Sequence, residues 1–129
     1  METLKVGERL TRVVSEFTWN LNWEYCQKTV RDHHEIYREY AHPGWLLSRA
    51  NLILATNYAL PPWIHVSSNV QNYRPHKNER PVETRGLVRD RFERKGHHFI
   101  VVDLGLFSEE RCLATIRHTA IFRIAPRAA

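Results

Sequence analysis

The stretch His42-Pro43-Gly44-Trp45-Leu46-Leu47-Ser48-Arg49-Ala50-Asn51-Leu52-Ile53-Leu54-Ala55-Thr56-Asn57-Tyr58 decides the fold. It reads as one helix. Pro43 falls in the first turn, where the donor it lacks would be unpaired anyway, and His42 then stands at or near the N-cap. Trp45, Leu46, Leu47, Ala50, Leu52, Ile53, Leu54 and Tyr58 spread around most of the circumference. A helix apolar on nearly every side belongs inside a core. At roughly 1.5 Å per residue it is about 24 Å long, too short, and too polar at Ser48, Arg49 and Asn51, for a membrane span.

What wraps this helix follows from the rest of the chain. Its 129 residues suit a single domain over 1–129, and a hydrophobic content of 43% supplies a real core. The formal net charge of +5 and a pI near 9.6 favour anionic partners in general without choosing among them. Charges of both signs are interleaved, with no basic tail. Cys26 and Cys112 lie far apart without metal spacing and read as reduced, buried thiols of a cytoplasmic protein. No signal peptide or transmembrane run is expected.

Upstream of the central helix, a strand is expected over Thr11–Thr18 and a helix over Asn20–Asp32. Asn22 caps that helix, and Trp23, Cys26, Gln27 and Val30 lie near one stripe. Arg31–Ala41, dense in titratable groups, is expected as a loop with a helical turn. Downstream, Pro61-Pro62 stops the helix. Alternation then predicts strands over Trp63–Arg74, Pro81–Arg94, His97–Phe107 and Cys112–Ile124, with turns at Pro75–Arg80, Lys95-Gly96 and Ser108–Arg111. In the third of these strands the apolar run is nearly continuous, as if covered on both faces. In the last, Cys112, Ala114, Ile116, His118, Ala120 and Phe122 face inward. Ile64 and Val66 point one way, and His65 shares the opposite face with Trp63.

Short turns join antiparallel neighbours. A single antiparallel sheet must cover its apolar face, and the helix of residues 43–58 is the apolar object available. The expected fold class is therefore α+β: a hot-dog fold, in which one long curved antiparallel sheet wraps one central helix.

Four segments carry a family resemblance: Asp32-His33-His34-Glu35-Ile36-Tyr37, Ala41-His42-Pro43-Gly44-Trp45-Leu46, Tyr73-Arg74-Pro75-His76-Lys77-Asn78-Glu79 and Arg117-His118-Thr119-Ala120. Together they resemble a MaoC-like hot-dog domain over nearly the whole chain. The family contains R-specific enoyl-CoA hydratases and dehydratases of acyl thioesters, usually dimeric, with sites at the subunit boundary. Its catalytic motif reads Asp-x-Asn-Pro-x-His. Asp32 matches the Asp, His34 and Glu35 stand where Asn and Pro are usual, and Tyr37 stands where the catalytic His is expected. Imidazole titrates near neutrality, whereas an unperturbed phenol, with a pKa near 10, donates or orients and is a poor base.

The resemblance implies Asp32, Tyr37, His33 and His34 as catalytic candidates, either histidine replacing the missing imidazole if the loop is re-registered. It implies His42, Gly44, Trp45 and His118 as substrate-binding candidates, with amides near the start of the central helix holding the thioester oxygen. Each has a plainer alternative. Asp32 can be a loop carboxylate capping a backbone amide, and Tyr37 an aromatic packing on the central helix. His33 and His34 can be solvated, His42 a simple N-cap, Gly44 a packing glycine, and His118 a satisfied core histidine. Arg89, Arg91, Arg94 and Lys95 either meet phosphates or charge the sheet against aggregation.

No metal site and no cofactor are expected. The implied activity is reversible addition of water to the double bond of an enoyl thioester, carried on coenzyme A or an acyl carrier protein, by a homodimer or higher homo-oligomer. Two other activities are open: a hot-dog acyl-CoA thioesterase, disfavoured because the central helix carries no Asp or Glu, and a non-catalytic partner subunit of a heteromeric dehydratase. Nucleic acid and membrane partners are not expected.

Overall fold

A computed structural model describes residues 5–58, 64–76 and 79–123. The elements run β1 (Arg9–Ser15), α1 (Trp19–Glu24), a π-helical turn (Tyr25–Thr29), a 3₁₀ turn (Glu35–Arg38), α2 (Pro43–Asn57), β2 (Ile64–Asn72), β3 (Val82–Arg94), β4 (His97–Ser108) and β5 (Arg111–Arg123). The strands form one antiparallel sheet in the order β1-β3-β4-β5-β2. α2 lies against its inner face, as the hot-dog reading expects. Pro61-Pro62, Trp63, Lys77, Asn78 and Ile124 lie outside the described residues.

α2 begins as its sequence dictates. Pro43 is its first residue, and the His42 side chain caps it by accepting the Gly44 N–H. Trp45, Leu46, Ala50, Ile53 and Leu54 are buried, while Asn51, Ala55 and Thr56 face out. Gly86 of β3 lies beneath side chains from both the sheet and the helix. A Cβ there would stand 2.7 Å from Leu104 Cδ2, 2.9 Å from Leu10 Cδ1 and 3.4 Å from Ile53 Cδ1. At the far end, Asn57 plugs an irregularity in β1: its Oδ1 accepts from Thr11 N at 2.7 Å and its Nδ2 donates to Thr11 O at 3.0 Å.

Several expectations need correction. The first strand runs earlier than Thr11–Thr18. The helix expected over Asn20–Asp32 is a six-residue α-helix followed by the π turn. Its cap is Thr18, whose hydroxyl accepts the Leu21 N–H at 3.1 Å, while Asn22 is completely buried inside it. In β5 a bulge places Leu113 inward beside Ala114 and leaves Cys112 half exposed, because Ala114 pairs with Leu106 and Cys112 with Phe107. A register shift between His65 and Ser67 likewise breaks the alternation expected in β2. β4 is deeply buried only on its inner face, at Ile100, Val102, Leu104 and Leu106. The hairpin at Lys95-Gly96 is as read, with φ of 51° and 79°; Glu109-Glu110 makes an equivalent left-handed pair.

Candidate functional site

The loop between α1 and α2 is held by one buried amide. Asn22 Nδ2 donates to the carbonyls of Tyr37 (2.7 Å) and Tyr40 (2.9 Å), and its Oδ1 accepts the His42 N–H at 2.9 Å. A second tie runs from Ala41 N to the carbonyl of buried His76, at 2.7 Å. A backbone that would otherwise leave polar groups unpaired is thereby fixed.

This frame brings Asp32, Tyr37 and His42 together. His42 Nδ1 accepts the Gly44 N–H at 2.9 Å, so the ring proton of the neutral imidazole sits on Nε2. Nε2 faces Asp32 Oδ2 at 3.4 Å. Asp32 Oδ1 accepts the His34 N–H at 3.2 Å. The Asp32 carboxyl is held below the usual carboxylate range, first by that amide and then by His42. The Tyr37 ring lies 4.5 Å from the His42 ring. Burial first, then the Asp32 charge, raises its phenol pKa, keeping Tyr37 a proton donor. Tyr25 approaches from the opposite side, its ring 5.6 Å from that of His42. The arrangement joins a carboxylate, an imidazole and two phenols at the mouth of a helix, a set able to accept and return a proton.

The other named histidines stand elsewhere. His33 pairs with Gln27 Oε1. His34 Nδ1 accepts the Ile36 N–H at 3.1 Å and caps the 3₁₀ turn. Trp45 packs in the core under the guanidinium of Arg49, 4.4 Å from its ring centre. His118 sits in a separate cluster: Nδ1 meets Ser68 Oγ at 2.8 Å, Nε2 meets Asn51 Oδ1 at 3.1 Å, and the ring stacks on His65 at 4.7 Å. Burial, with His65 adding to it, drives its pKa down to about 4.

Among the described residues no group of three His, Cys, Asp or Glu side chains stands ready for a metal, and no helix is long and apolar enough to cross a membrane. Cys26 is buried and Cys112 half-buried, both unpaired. A groove of about 900 Å³ lies across the outer face of the sheet, lined by Arg9, Arg12, Arg85 and Arg117 around Asp103. The Asp32 cluster is not part of it. Of the basic hairpin, Arg89 bonds Asp103 at 3.2 Å and Arg94 lies over Phe92.

Sequence reasoning missed two residues of this site. Asn22, expected as a cap, is instead a buried polar anchor, which an amide on the stripe of Trp23 and Cys26 signals. Tyr25, one residue before buried Cys26, drew no attention. The imidazole beside Asp32 is that of His42, a residue read as binding substrate or capping the helix.

No known family pattern and no curated protein sequence matches the chain. Solved structures do. An (R)-hydratase from A. caviae involved in PHA biosynthesis superposes with a TM-score of 0.76 at 14% identity, over 93% of this chain and 98% of the other. The HadBC (3R-hydroxyacyl-ACP dehydratase) complex of Mycobacterium tuberculosis gives 0.77 at 11% identity, over 90% and 96%. A MaoC-like dehydratase from Rhodospirillum rubrum gives 0.72 at 11% identity, over 98% of each chain. At such identities the likeness speaks to architecture, and with the five-stranded sheet around α2 it makes this chain an α+β hot-dog protein whose structural neighbours are MaoC-like dehydratases and (R)-hydratases.

Proposed function

We propose that the protein catalyses reversible hydration of an enoyl thioester, carried on coenzyme A or an acyl carrier protein. The observation that carries this reading is the Asp32–His42 contact, Oδ2 to Nε2 at 3.4 Å, at the start of the central helix. In the hydration direction water adds to the β-carbon, and its spare proton passes to the Asp32–His42 pair. The π electrons move toward the carbonyl, giving an enolate, and the pair returns the proton to the α-carbon. The proton belongs to the pair as a unit rather than to either residue. Tyr37 keeps its proton and holds the carboxylate. Asn22 and His34 act as positioning residues.

A second copy of the chain completes the site in this reading. β2 is a sheet edge with exposed Ile64, Val66 and Val70, the kind of edge that pairs with another strand. On α2, Asn51 and Ala55 are exposed as well.

Purified protein is mixed with a short enoyl-CoA and the absorbance of the conjugated thioester is followed. Loss of absorbance with formation of the 3-hydroxyacyl product is expected. No change with either coenzyme A or carrier-protein substrates overturns the reading for the chain alone. A second reading is a partner subunit of a heteromeric dehydratase: the sequence resemblance sets Tyr37 against the motif histidine, and the neighbour HadBC is itself a complex. Activity that appears only on adding a second hot-dog chain would select it.

A further inference from the structure

The hydration reading leaves one requirement open. Charge moves onto the thioester oxygen, so a hydrogen-bond donor must meet that oxygen. Helix amides are the usual source of such donors, but those at the start of α2 are already engaged. Pro43 has none. Gly44 N–H is taken by His42 Nδ1 at 2.9 Å. Trp45 N–H and Leu46 N–H both go to the His42 carbonyl, at 3.0 and 3.3 Å. His42 Nε2–H faces Asp32.

One donor above this turn is free. The Tyr25 hydroxyl has no hydrogen-bond partner among the described residues. It lies directly over Gly44: a Cβ on that glycine would stand 2.8 Å from Tyr25 Oη and 3.0 Å from His42 Nδ1. Glycine at this position is therefore what lets the phenol oxygen and the imidazole both lie against the first turn of α2. The Tyr25 backbone is still helical as α1 ends, φ −58° and ψ −45°, with its N–H on the Leu21 and Asn22 carbonyls, and the π turn starts there. The half-buried guanidinium of Arg49 lies near enough to favour negative charge at the phenol. An oxygen gaining charge beside the phenol meets that same field.

We propose that Tyr25 is a catalytic residue, its O–H donating to the carbonyl oxygen of the thioester in place of the helix amides. This rests on the hydration reading. In the enolate the Tyr25 hydrogen bond shortens and strengthens as charge builds on oxygen. The proton stays on Tyr25, since burial holds its pKa above that of an ordinary phenol.

The test compares binding of hexanoyl-CoA with S-hexyl-CoA, a thioether lacking the carbonyl, by calorimetry. Wild-type protein is expected to prefer the thioester about tenfold, the worth of one good hydrogen bond. Tyr25→Phe is expected to lose that preference while still binding the thioether, and to lower kcat/KM for enoyl hydration through a higher KM as well as a lower kcat. Gly44→Ala sets a methyl group 2.8 Å from Tyr25 Oη, displaces the phenol from this turn and is expected to lose the preference in the same way, which decides the matter should Tyr25→Phe fold poorly. Asp32→Asn is expected to keep the preference while losing hydration. A preference retained in Tyr25→Phe or in folded Gly44→Ala overturns the role of Tyr25 alone. Wild-type protein that binds neither compound overturns the thioester reading as well.

Discussion

Two imidazoles, His42 and His118, show how differently the same side chain can be surrounded. His42 retains 14% of its side-chain exposure and faces a carboxylate that is itself 42% exposed. His118 is 2% exposed, and its ring nitrogens meet a hydroxyl and an amide. Neutral partners satisfy hydrogen bonds but give no return for desolvating a charge, so burial holds His118 neutral. At His42 the neighbour is instead the accessible Asp32 carboxylate, the charge that the proposed hydration relies on. The comparison teaches that proximity of polar groups does not identify a reacting site; an opposite charge within reach of solvent and substrate does.

The largest expected effect falls on the His42 side. Asp32→Asn preserves shape and the bond from His34 but removes the charge facing Nε2. Enoyl-thioester hydration is expected to fall by about 10²–10⁴-fold, the usual worth of a positioned acid–base group, with unchanged circular dichroism. Activity within twofold of wild type would dissolve the contrast between the two imidazoles. Next comes the anchor. Asn22→Ala strips partners from two carbonyls and one N–H in a fully buried setting. It is expected to cost about 4 kcal/mol in denaturant unfolding. Asn22→Asp keeps the acceptor for His42 N–H but turns a carboxylate toward two carbonyls, and is expected to cost at least as much. Loss of under about 1 kcal/mol in Asn22→Ala would mean that water replaces the amide readily.

The two halves of the contrast were not equally legible in the sequence. The helix from Pro43, the hairpin at Lys95-Gly96 and the strand pattern follow from local rules that act over a few residues, so the architecture could be read directly. Asp32 and His42 were both singled out, but their meeting was not, because it depends on Asn22 drawing Tyr37, Tyr40 and His42 together across about twenty residues. Side-chain hydrogen bonds of that kind leave no periodic trace. Bulges hide for the same reason. Leu113 and Cys112 exchange faces through one extra residue, and alternation alone gives no warning of it. The neutrality of His118 was accessible in part, as a histidine on an apolar face, whereas its Ser68 and Asn51 partners arrive from β2 and α2.

The third prediction sets His118 against pH. Its ordinary value of 6.5 drops to about 4 in the fold. Between those values the unfolded chain binds the proton and the folded chain does not, so stability rises with pH across that window and is lost as pH falls from 6.5 toward 4. Each tenfold change in the proton equilibrium is worth about 1.4 kcal/mol, which makes the whole drop worth roughly 3 kcal/mol. Carboxylates also titrate at the acid end, so the informative quantity is the difference between wild type and His118→Asn. The variant is expected to be less stable at pH 7 but to lose less stability on acidification. Parallel pH curves for the two proteins would show that His118 titrates as freely as an exposed imidazole, and the contrast with His42 would lose its electrostatic basis.

The smallest effect separates the clusters most cleanly. Because Asn51 Oδ1 can only accept, His118 carries its proton on Nε2, and Nδ1 accepts from the Ser68 hydroxyl. Ser68→Ala leaves that buried lone pair without a donor, at an expected cost of about 1 kcal/mol in denaturant unfolding. The hydroxyl also stabilises the neutral ring, so its removal is expected to bring the folded His118 pKa closer to its ordinary value and to lessen the stability lost on acidification. Hydration activity is expected to stay within twofold of wild type, since nothing in the Asp32–His42–Tyr25 group touches Ser68. Should Ser68→Ala instead lower activity tenfold or more while stability barely moves, the reacting imidazole would be the one in the sheet, and the carboxylate beside His42 would be only a support for the helix it caps.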